Sequence, residues 1–125
     1  MYTSRITVRG YELDSFGHVN NSVYLNYLEQ ARWEILKETG WLMKFMEDKL
    51  ILAVVEMNIK YIKELKIFDA IVIETEVQRK DPFIIFRQII IEDVTGISCT
   101  KATVKTLLLD DARIPQDIPD GLFED

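Results

Sequence analysis

The chain contains very few of the residues that build metal centres and disulfides. Its 125 residues include one cysteine and one histidine, too few for an internal disulfide or a dedicated zinc or iron site. Cys99 falls within a strand pattern and has no base beside it in the sequence, which predicts a half-buried strand thiol and not a nucleophile. We therefore expect no metal ion and no cofactor.

Long apolar runs and a basic charge balance are also missing. No segment approaches the ~20 apolar residues that cross a bilayer, and the first residues lack a signal-peptide core. These features favour a cytoplasmic protein. The net charge of −6 disfavours nucleic acid as a partner, because nucleic acid needs a basic face. Hydrophobic residues make up 48% and charged residues 29%, which is typical of a folded domain, and the length fits one domain, residues 1–125.

A polar loop leads into an amphipathic helix. Residues 14–21 are DSFGHVNN, and the loop ends in three residues that favour helix N-caps: Asn20, Asn21 and Ser22. From there apolar side chains recur at helical spacing up to Gly40, a fitting stop, so we predict a helix of roughly 18 residues. Three further side chains widen its apolar surface and predict that it is largely enclosed: Leu25, Trp33 and Leu36.

The other patterns are those of strands. Period-two alternation predicts strands at 5–9, 50–62, 70–78, 83–92 and 97–109, with a short helix or ordered turn at 41–48. Turns are expected at 80–82 and 93–96, and residues 112–125 are predicted to form a surface tail. Alternation along 50–62 places six side chains on one face: Ile51, Ala53, Val55, Met57, Ile59 and Tyr61.

The element order predicts an α+β fold in which a curved antiparallel sheet of about five strands wraps the long helix. The opposite face of this sheet is expected to carry a second apolar set: Val54, Val72, Ile84, Phe86 and Ile90. One small sheet cannot cover both this face and so apolar a helix. We therefore expect a homodimer or homotetramer in which a second subunit's sheet extends or covers the first.

The motif around the loop resembles a known family. Asp14 with Gly17, the following HVNN and Tyr24, and the helix segment Glu29-x-Ala-Arg are similar to the hotdog-fold acyl-CoA thioesterases of the hydroxybenzoyl-CoA thioesterase type. The likeness follows the strand order across nearly the whole chain. It implies a hotdog domain that hydrolyses acyl-CoA thioesters. It further implies that Asp14 acts as nucleophile or general base and that the backbone N–H of Asn21 polarises the carbonyl.

The general chemistry agrees with that implication. A thioester is already activated, so hydrolysis requires a carboxylate and donors for the developing oxyanion, and a helix N-terminus supplies unpaired N–H groups. Asp14 also has the plain interpretation of an Asx-turn residue. His18 either contacts substrate, orders Asp14 or merely fills the loop. Glu29 either positions water or pairs with Arg32 in solvent.

Substrate binding is assigned less directly. Gly17 and Tyr24 belong to the motif, although Tyr24 also fits a core position. An anionic coenzyme needs a local cluster of cations in this acidic protein, and four residues are candidates: Lys60, Arg79, Lys80 and Arg87. Each of them is also compatible with a solvated surface position.

Three alternatives to acyl-CoA hydrolysis stay open. The HVNN run also resembles plant acyl-carrier-protein thioesterases, but Phe16 occupies the place where that branch has a polar residue. A non-catalytic protein that only binds acyl thioesters is a rival of another class, against which Asp14 argues. A hotdog dehydratase is less favoured, because those enzymes pair histidine and acid differently.

The turn at residues 64–69 lacks the proline and the Gly-Asp pair that are common in relatives at this place. Because such a loop is a candidate neighbour of the coenzyme site, the position of the coenzyme stays open.

Overall fold

The computed structural model describes residues 1–123. The elements, in chain order, are strand β1 (Tyr2–Thr7), a 3-10 turn (Gly10–Glu12), helix α1 (Asn21–Glu38), helix α2 (Trp41–Asp48), and strands β2 (Ile51–Tyr61), β3 (Ala70–Lys80), β4 (Phe83–Glu92) and β5 (Ser98–Leu109). The predicted α+β order and the short second helix are confirmed. Neither helix in residues 1–123 is long and apolar enough to cross a membrane.

The five strands form one antiparallel sheet in the order β1-β3-β4-β5-β2. The turns after β3 and β4 make consecutive hairpins, as the turn residues predicted, whereas β1 and β2 occupy the two edges. Helix α1 packs on the inner face, where Leu28 is fully buried against the same cluster as Ile73 and Ile90. This arrangement, a sheet wrapped around one central helix, is the hotdog fold.

Helix α1 begins and ends where its sequence predicts. Asn20 is the N-cap and its side chain accepts a hydrogen bond from the Ser22 N–H, while Gly40 has φ of +81°, a left-handed conformation that glycine adopts without strain. The predicted enclosure is incomplete. Trp33 is 51% exposed, because the helix face that carries it points away from the sheet of its own chain.

The predicted face of β2 is wrong in its first half. A β-bulge lies between Val54 and Glu56, so Val55 has no single partner on β5 and the alternation reverses there. Leu52 and Val54 therefore share the inner face with Met57, whereas Ile51 and Ala53 lie on the outer face. Periodicity alone cannot reveal one inserted residue, since both halves of the strand alternate correctly.

Most of the residues predicted for the second apolar face lie elsewhere. Ile84, Phe86 and Ile90 are each at most 2% exposed and belong to the interior, where they pack under the helices. Val72 alone of the predicted set lies on the outer face. That face is mixed. It has charged and polar side chains, Glu56, Arg87, Lys101, Thr103 and Lys105, beside apolar ones that the prediction did not place there: Phe83, Ile85, Ile89, Ile91, Leu107 and Leu109.

The C-terminal segment is part of the core and not a surface tail. Ile118, Leu122 and Phe123 are 7–8% exposed and pack in a cluster with Phe86, whose ring meets that of Phe123 edge-on at 5.8 Å. The terminal acids Glu124 and Asp125 lie outside the described residues. The apolar side chains on either side of Pro119 explain the difference, because burying each one stabilises the fold by about 1.5–3 kcal/mol.

Cys99 is also more deeply buried than predicted. The residue is 0% exposed, and burial raises the pKa of its thiol, which disfavours the reactive thiolate.

Candidate active site

The loop before α1 is a compact turn organised by Asp14. Leu13 and Val19 form an isolated antiparallel bridge, the Asp14 N–H donates to the His18 carbonyl over 2.8 Å, and the Gly17 N–H donates back to the Asp14 carbonyl over 3.1 Å. Gly17 has φ of +81°, so the turn requires a residue that tolerates the left-handed region. Gly17 thus shapes the loop through its backbone.

The two oxygens of the Asp14 carboxylate differ in their hydrogen bonds. Oδ1 accepts the N–H groups of Phe16 and His18 at 2.9 and 3.3 Å, which is the expected Asx-turn. Oδ2 has no hydrogen-bond partner within residues 1–123, and the side chain is half-buried. The turn interpretation and the catalytic one are therefore compatible: one oxygen holds the loop while the other is available.

The N-terminus of α1 follows this loop directly in the chain. Asn20 Oδ1 accepts hydrogen bonds from the Ser22 N–H and hydroxyl, and the Asn20 carbonyl accepts the Val23 N–H. The N–H of Asn21, the first helical residue, has no partner in the described part of the chain. It is an unpaired donor at the positive end of a helix dipole, as the oxyanion role requires.

His18 reaches away from Asp14. Its imidazole Nε2 lies 2.8 Å from Glu64 Oε2 in the connection between β2 and β3, so only its backbone N–H contacts the Asp14 carboxylate. The same two loops are joined by the Val19 N–H, which donates to the Leu65 carbonyl over 2.9 Å. The His18 side chain thus joins the Asp14 loop to the β2–β3 connection and does not itself contact Asp14 within residues 1–123.

Tyr24 occupies the core position that its spacing also allowed. It is 3% exposed, and its hydroxyl accepts the Leu65 N–H over 3.1 Å. Burial raises the pKa of this phenol, although the Leu65 hydrogen bond opposes that effect. Tyr61, which the motif did not include, donates its hydroxyl to the Asn21 carbonyl over 3.0 Å and so ties the end of β2 to the first turn of α1.

Glu29 is exposed, and the predicted pairing with Arg32 does not form within residues 1–123. Arg32 instead donates from Nη1 to Gln88 Oε1 over 2.9 Å. The reason is geometric, since Arg32 projects towards the sheet whereas Glu29 projects to solvent.

The four candidate cations do not form one cluster. Lys60, Lys80 and Arg87 lie on the outer face of the sheet, and Arg87 donates to Gln78 Oε1 over 2.9 Å. Arg79 lies on the other face, where it contacts Asp81 Oδ1 at 3.1 Å and the Ile118 carbonyl at 3.4 Å.

The sequence analysis missed a buried acid next to the loop. Glu12 is 5% exposed and accepts hydrogen bonds from the Arg9 N–H (2.7 Å), the Arg9 guanidinium (2.8 Å) and the Tyr27 hydroxyl (2.7 Å). Burial pushes the pKa of Glu12 upwards, but the hydrogen bonds from Arg9 and Tyr27 outweigh it and leave the pKa below its ordinary value. Burial and Glu12 together raise the pKa of Tyr27. The three-residue spacing of Arg9 and Glu12 was the available signal.

Glu12→Gln is expected to lower the free energy of unfolding by about 1–3 kcal/mol near neutral pH, since charge-assisted hydrogen bonds are lost from a buried position. The depressed pKa means that the carboxylate stabilises the fold fully above its ordinary pKa of 4.5 and loses this effect as pH falls through the folded value. Denaturant unfolding between pH 3 and 7 measures both the loss of stability in Glu12→Gln and the pH dependence in the wild-type protein. The exposed control Glu76→Gln should change stability by under about 0.5 kcal/mol. Equal losses in the two variants would contradict the role assigned to Glu12.

The fold and the loop define a hotdog protein of the thioesterase type, and comparison with known proteins agrees. The chain belongs to the thioesterase-like superfamily, whose model matches residues 8–124. It is similar to the crystal structure of the probable thioesterase YbaW from Escherichia coli, with a TM-score of 0.84 and 28% identity over 93% of this chain and 89% of that one.

Two curated relatives share part of the sequence. The long-chain acyl-CoA thioesterase FadM of Escherichia coli is 36% identical over 76 residues, 61% of this chain and 58% of that protein. The chloroplastic acyl-acyl carrier protein thioesterase ATL3 of Arabidopsis thaliana is 36% identical over 73 residues, 58% of this chain and 38% of that protein. The chain thus matches less than two thirds of the length of either relative.

Proposed function

We propose that this protein hydrolyses acyl-CoA thioesters. Two features carry the proposal: the loop before α1 holds a half-buried Asp14 carboxylate with one oxygen unpartnered in residues 1–123, and the helix that follows this loop begins with the unpaired Asn21 N–H. Similarity to proteins named acyl-CoA thioesterases supports the same reaction. No metal or cofactor takes part in it, and coenzyme A is a portion of the substrate.

The proposed reaction adds water across the C–S bond and yields a carboxylic acid and a thiol. Asp14 Oδ2 either attacks the carbonyl carbon, giving an anhydride that water opens, or removes a proton from an attacking water. The carbonyl oxygen gains negative charge in both routes, and in this proposal the unpaired Asn21 N–H donates a hydrogen bond to it. The Oδ1 contacts to Phe16 and His18 keep the carboxylate in one orientation during either route.

Acyl-carrier-protein thioesters are the second candidate substrate, supported by the similarity to ATL3. Phe16, at the position where the sequence departs from that branch, is 82% exposed on the loop and contributes no polar group there. We therefore favour coenzyme A as the thiol.

A thiol-release assay tests the proposal. Acyl-CoAs with short, long, branched and aromatic acyl groups, and one acyl-carrier-protein thioester, are incubated with the protein, and free thiol is measured. Release from an acyl-CoA that disappears in Asp14→Asn supports acyl-CoA hydrolysis. Release from the carrier protein alone selects the second candidate. Binding of acyl-CoA without release from any substrate would identify a non-catalytic binding protein.

We also propose that the protein is a cytoplasmic homodimer or homotetramer. Strand β2 supports assembly, because within residues 1–123 its 11 residues pair only with β5 and leave one edge open. Val55 is 51% exposed on that strand, and Trp33 is exposed nearby on α1. The free thiol of Cys99 favours a reducing compartment.

Light scattering should give two or four times the chain mass of 14.6 kDa at micromolar concentration. Val55→Lys places a charge on the open edge and should raise the dissociation constant by about tenfold or more. The control Val94→Lys, in the 88% exposed hairpin turn after β4, should leave assembly unchanged. A folded, active monomer would rule out this part of the proposal.

A further inference from the structure

An apolar cleft lies apart from the Asp14 loop. It is an open cleft bordered mainly by α1, α2 and the start of β2, with a volume of about 530 Å³, and none of Asp14, His18 and Asn21 lines it. This volume is within the range of about 300–1,000 Å³ typical of small-molecule sites. Its apolar lining includes the following side chains: Trp33, Leu36, Phe45, Leu52, Val54 and Phe86.

One charged side chain interrupts this apolar wall. Arg32 projects from α1 into the lining and donates from Nη1 to Gln88 Oε1. Gln88 is itself 0% exposed, and its Nε2 donates to the Leu28 carbonyl at 3.0 Å and to Thr75 Oγ1 at 3.1 Å. The two hydrogen bonds from Nε2 fix the orientation of the Gln88 amide, and its Oε1 therefore fixes the position of the Arg32 guanidinium.

The guanidinium is not neutralised by the chain. No carboxylate lies within 4.0 Å of Arg32 among residues 1–123, and the hydrogen bond to Gln88 uses only one of its five N–H donors. Burial lowers the pKa of Arg32, and the charge of Glu29 partly opposes this. An arginine nevertheless stays protonated at neutral pH, so the cleft contains a fixed positive charge with free donors.

The other charges of the cleft do not cancel it. Its lining holds three cations, Arg32, Lys49 and Arg113, and two carboxylates, Glu29 and Asp111. One positive charge is left over. A ligand with a single negative charge and an apolar body would satisfy both the guanidinium and the surrounding wall.

We infer that this cleft binds an apolar chain that ends in a carboxylate, with the carboxylate held by Arg32. Two sources share this chemistry: a free fatty acid, and an acyl thioester whose far end carries a second carboxylate. Arg32 lies eleven residues after Asn21, which is about 16 Å along α1. The thioester source rests on the proposed function, whereas binding of a free acid does not.

Calorimetry with decanoate and decanol, below the concentration at which decanoate forms micelles, tests the inference without any hydrolysis. The two probes have the same chain and differ in charge. Decanoate should bind the wild-type protein about tenfold more tightly than decanol, because a charge-assisted hydrogen bond forms in an apolar site. Equal affinities, or no binding of decanoate because a second copy of the chain closes the cleft, would overturn it.

Three variants test whether Arg32 causes the preference for decanoate over decanol. Arg32→Leu should abolish the preference for decanoate while decanol still binds, and Arg32→Gln should do the same with a polar group retained beside Gln88. Arg32→Gln decides the question if Arg32→Leu fails to fold. Arg113→Gln is the matched control, because Arg113 is an exposed arginine of the same lining, and it should keep the preference within about threefold. A preference that survives both Arg32 changes would refute the assignment.

Turnover distinguishes the two sources. If the thioester source is correct, the coenzyme A monothioester of decanedioate should have a KM about tenfold below that of decanoyl-CoA, and Arg32→Gln should remove the difference. If the free acid is the ligand, the two KM values agree and decanoate inhibits hydrolysis of decanoyl-CoA in the wild-type protein but not in Arg32→Gln. Failure of both thioesters to react would count against the proposed function and leave the calorimetric result standing.

Discussion

Asp14→Asn is expected to lower kcat by roughly 10²–10⁴ while the protein stays folded. The amide keeps the shape of the carboxylate, and its oxygen still accepts the N–H groups of Phe16 and His18, so the turn survives. The second oxygen becomes an NH₂ group, which neither attacks a carbonyl nor removes a proton. Steady-state thiol release from one good acyl-CoA measures the loss, and thermal unfolding verifies the fold.

His18→Asn provides the comparison within the same loop. The imidazole pairs with Glu64, and the contact to Asp14 comes from the backbone N–H, which every non-proline residue retains. We therefore expect kcat to fall by less than about tenfold. A loss as large as that of Asp14→Asn would make His18 a direct participant in the chemistry. An Asp14→Asn protein that is folded and within about threefold of wild type would refute the proposed mechanism.

The elements with local signals were predictable from the sequence. Asn20 accepts a hydrogen bond that only a helix start requires, and Gly40 adopts a left-handed conformation that ends the helix, so both boundaries of α1 follow from local chemistry. The hairpin turn at residues 93–96 is equally local. Period-two alternation and the turn residues between β3, β4 and β5 predicted the order of elements, and the family resemblance then implied the hotdog fold.

Features that depend on distant contacts were not predictable. The bulge at Val55 leaves the alternation intact on both sides, so the strand pattern could not show that its faces exchange. Apolar side chains occupy both faces of β4, with Phe86 and Ile90 on one face and Ile85, Ile89 and Ile91 on the other, so only the packed structure shows which face meets α1. Sequence periodicity gives two faces and does not say which one is buried.

The candidate site also combines local contacts, which the sequence predicts, with long-range contacts, which it does not. The Asp14 turn and the Asn20 cap involve residues at most four positions apart, and the sequence places them correctly. The Arg32 contact with Gln88 spans 56 residues, and the Tyr27 contact with Glu12 joins α1 to the loop that precedes it. Neither partner can be chosen from sequence alone, since the chain offers many polar side chains at similar separations.

The C-terminal segment leads to the second large effect that we expect. Phe123→Ala should lower the free energy of unfolding by about 3–5 kcal/mol, the usual range for removing a buried phenylalanine. The ring is 8% exposed and lies edge-on to Phe86 at 5.8 Å, so truncation leaves a cavity that the sheet cannot refill. Denaturant unfolding, with the midpoint and the slope compared separately, measures the change.

Ile114→Ala is the matched control, because Ile114 belongs to the same segment but is 56% exposed. It should change stability by no more than about 0.5 kcal/mol. Equal small effects at both positions would show that the segment is the surface tail that its prolines and acids predict. A large effect at Phe123 alone would mean that the segment completes the core beneath α1 and α2, since Ile35 and Phe45 lie in the same buried cluster as Phe123.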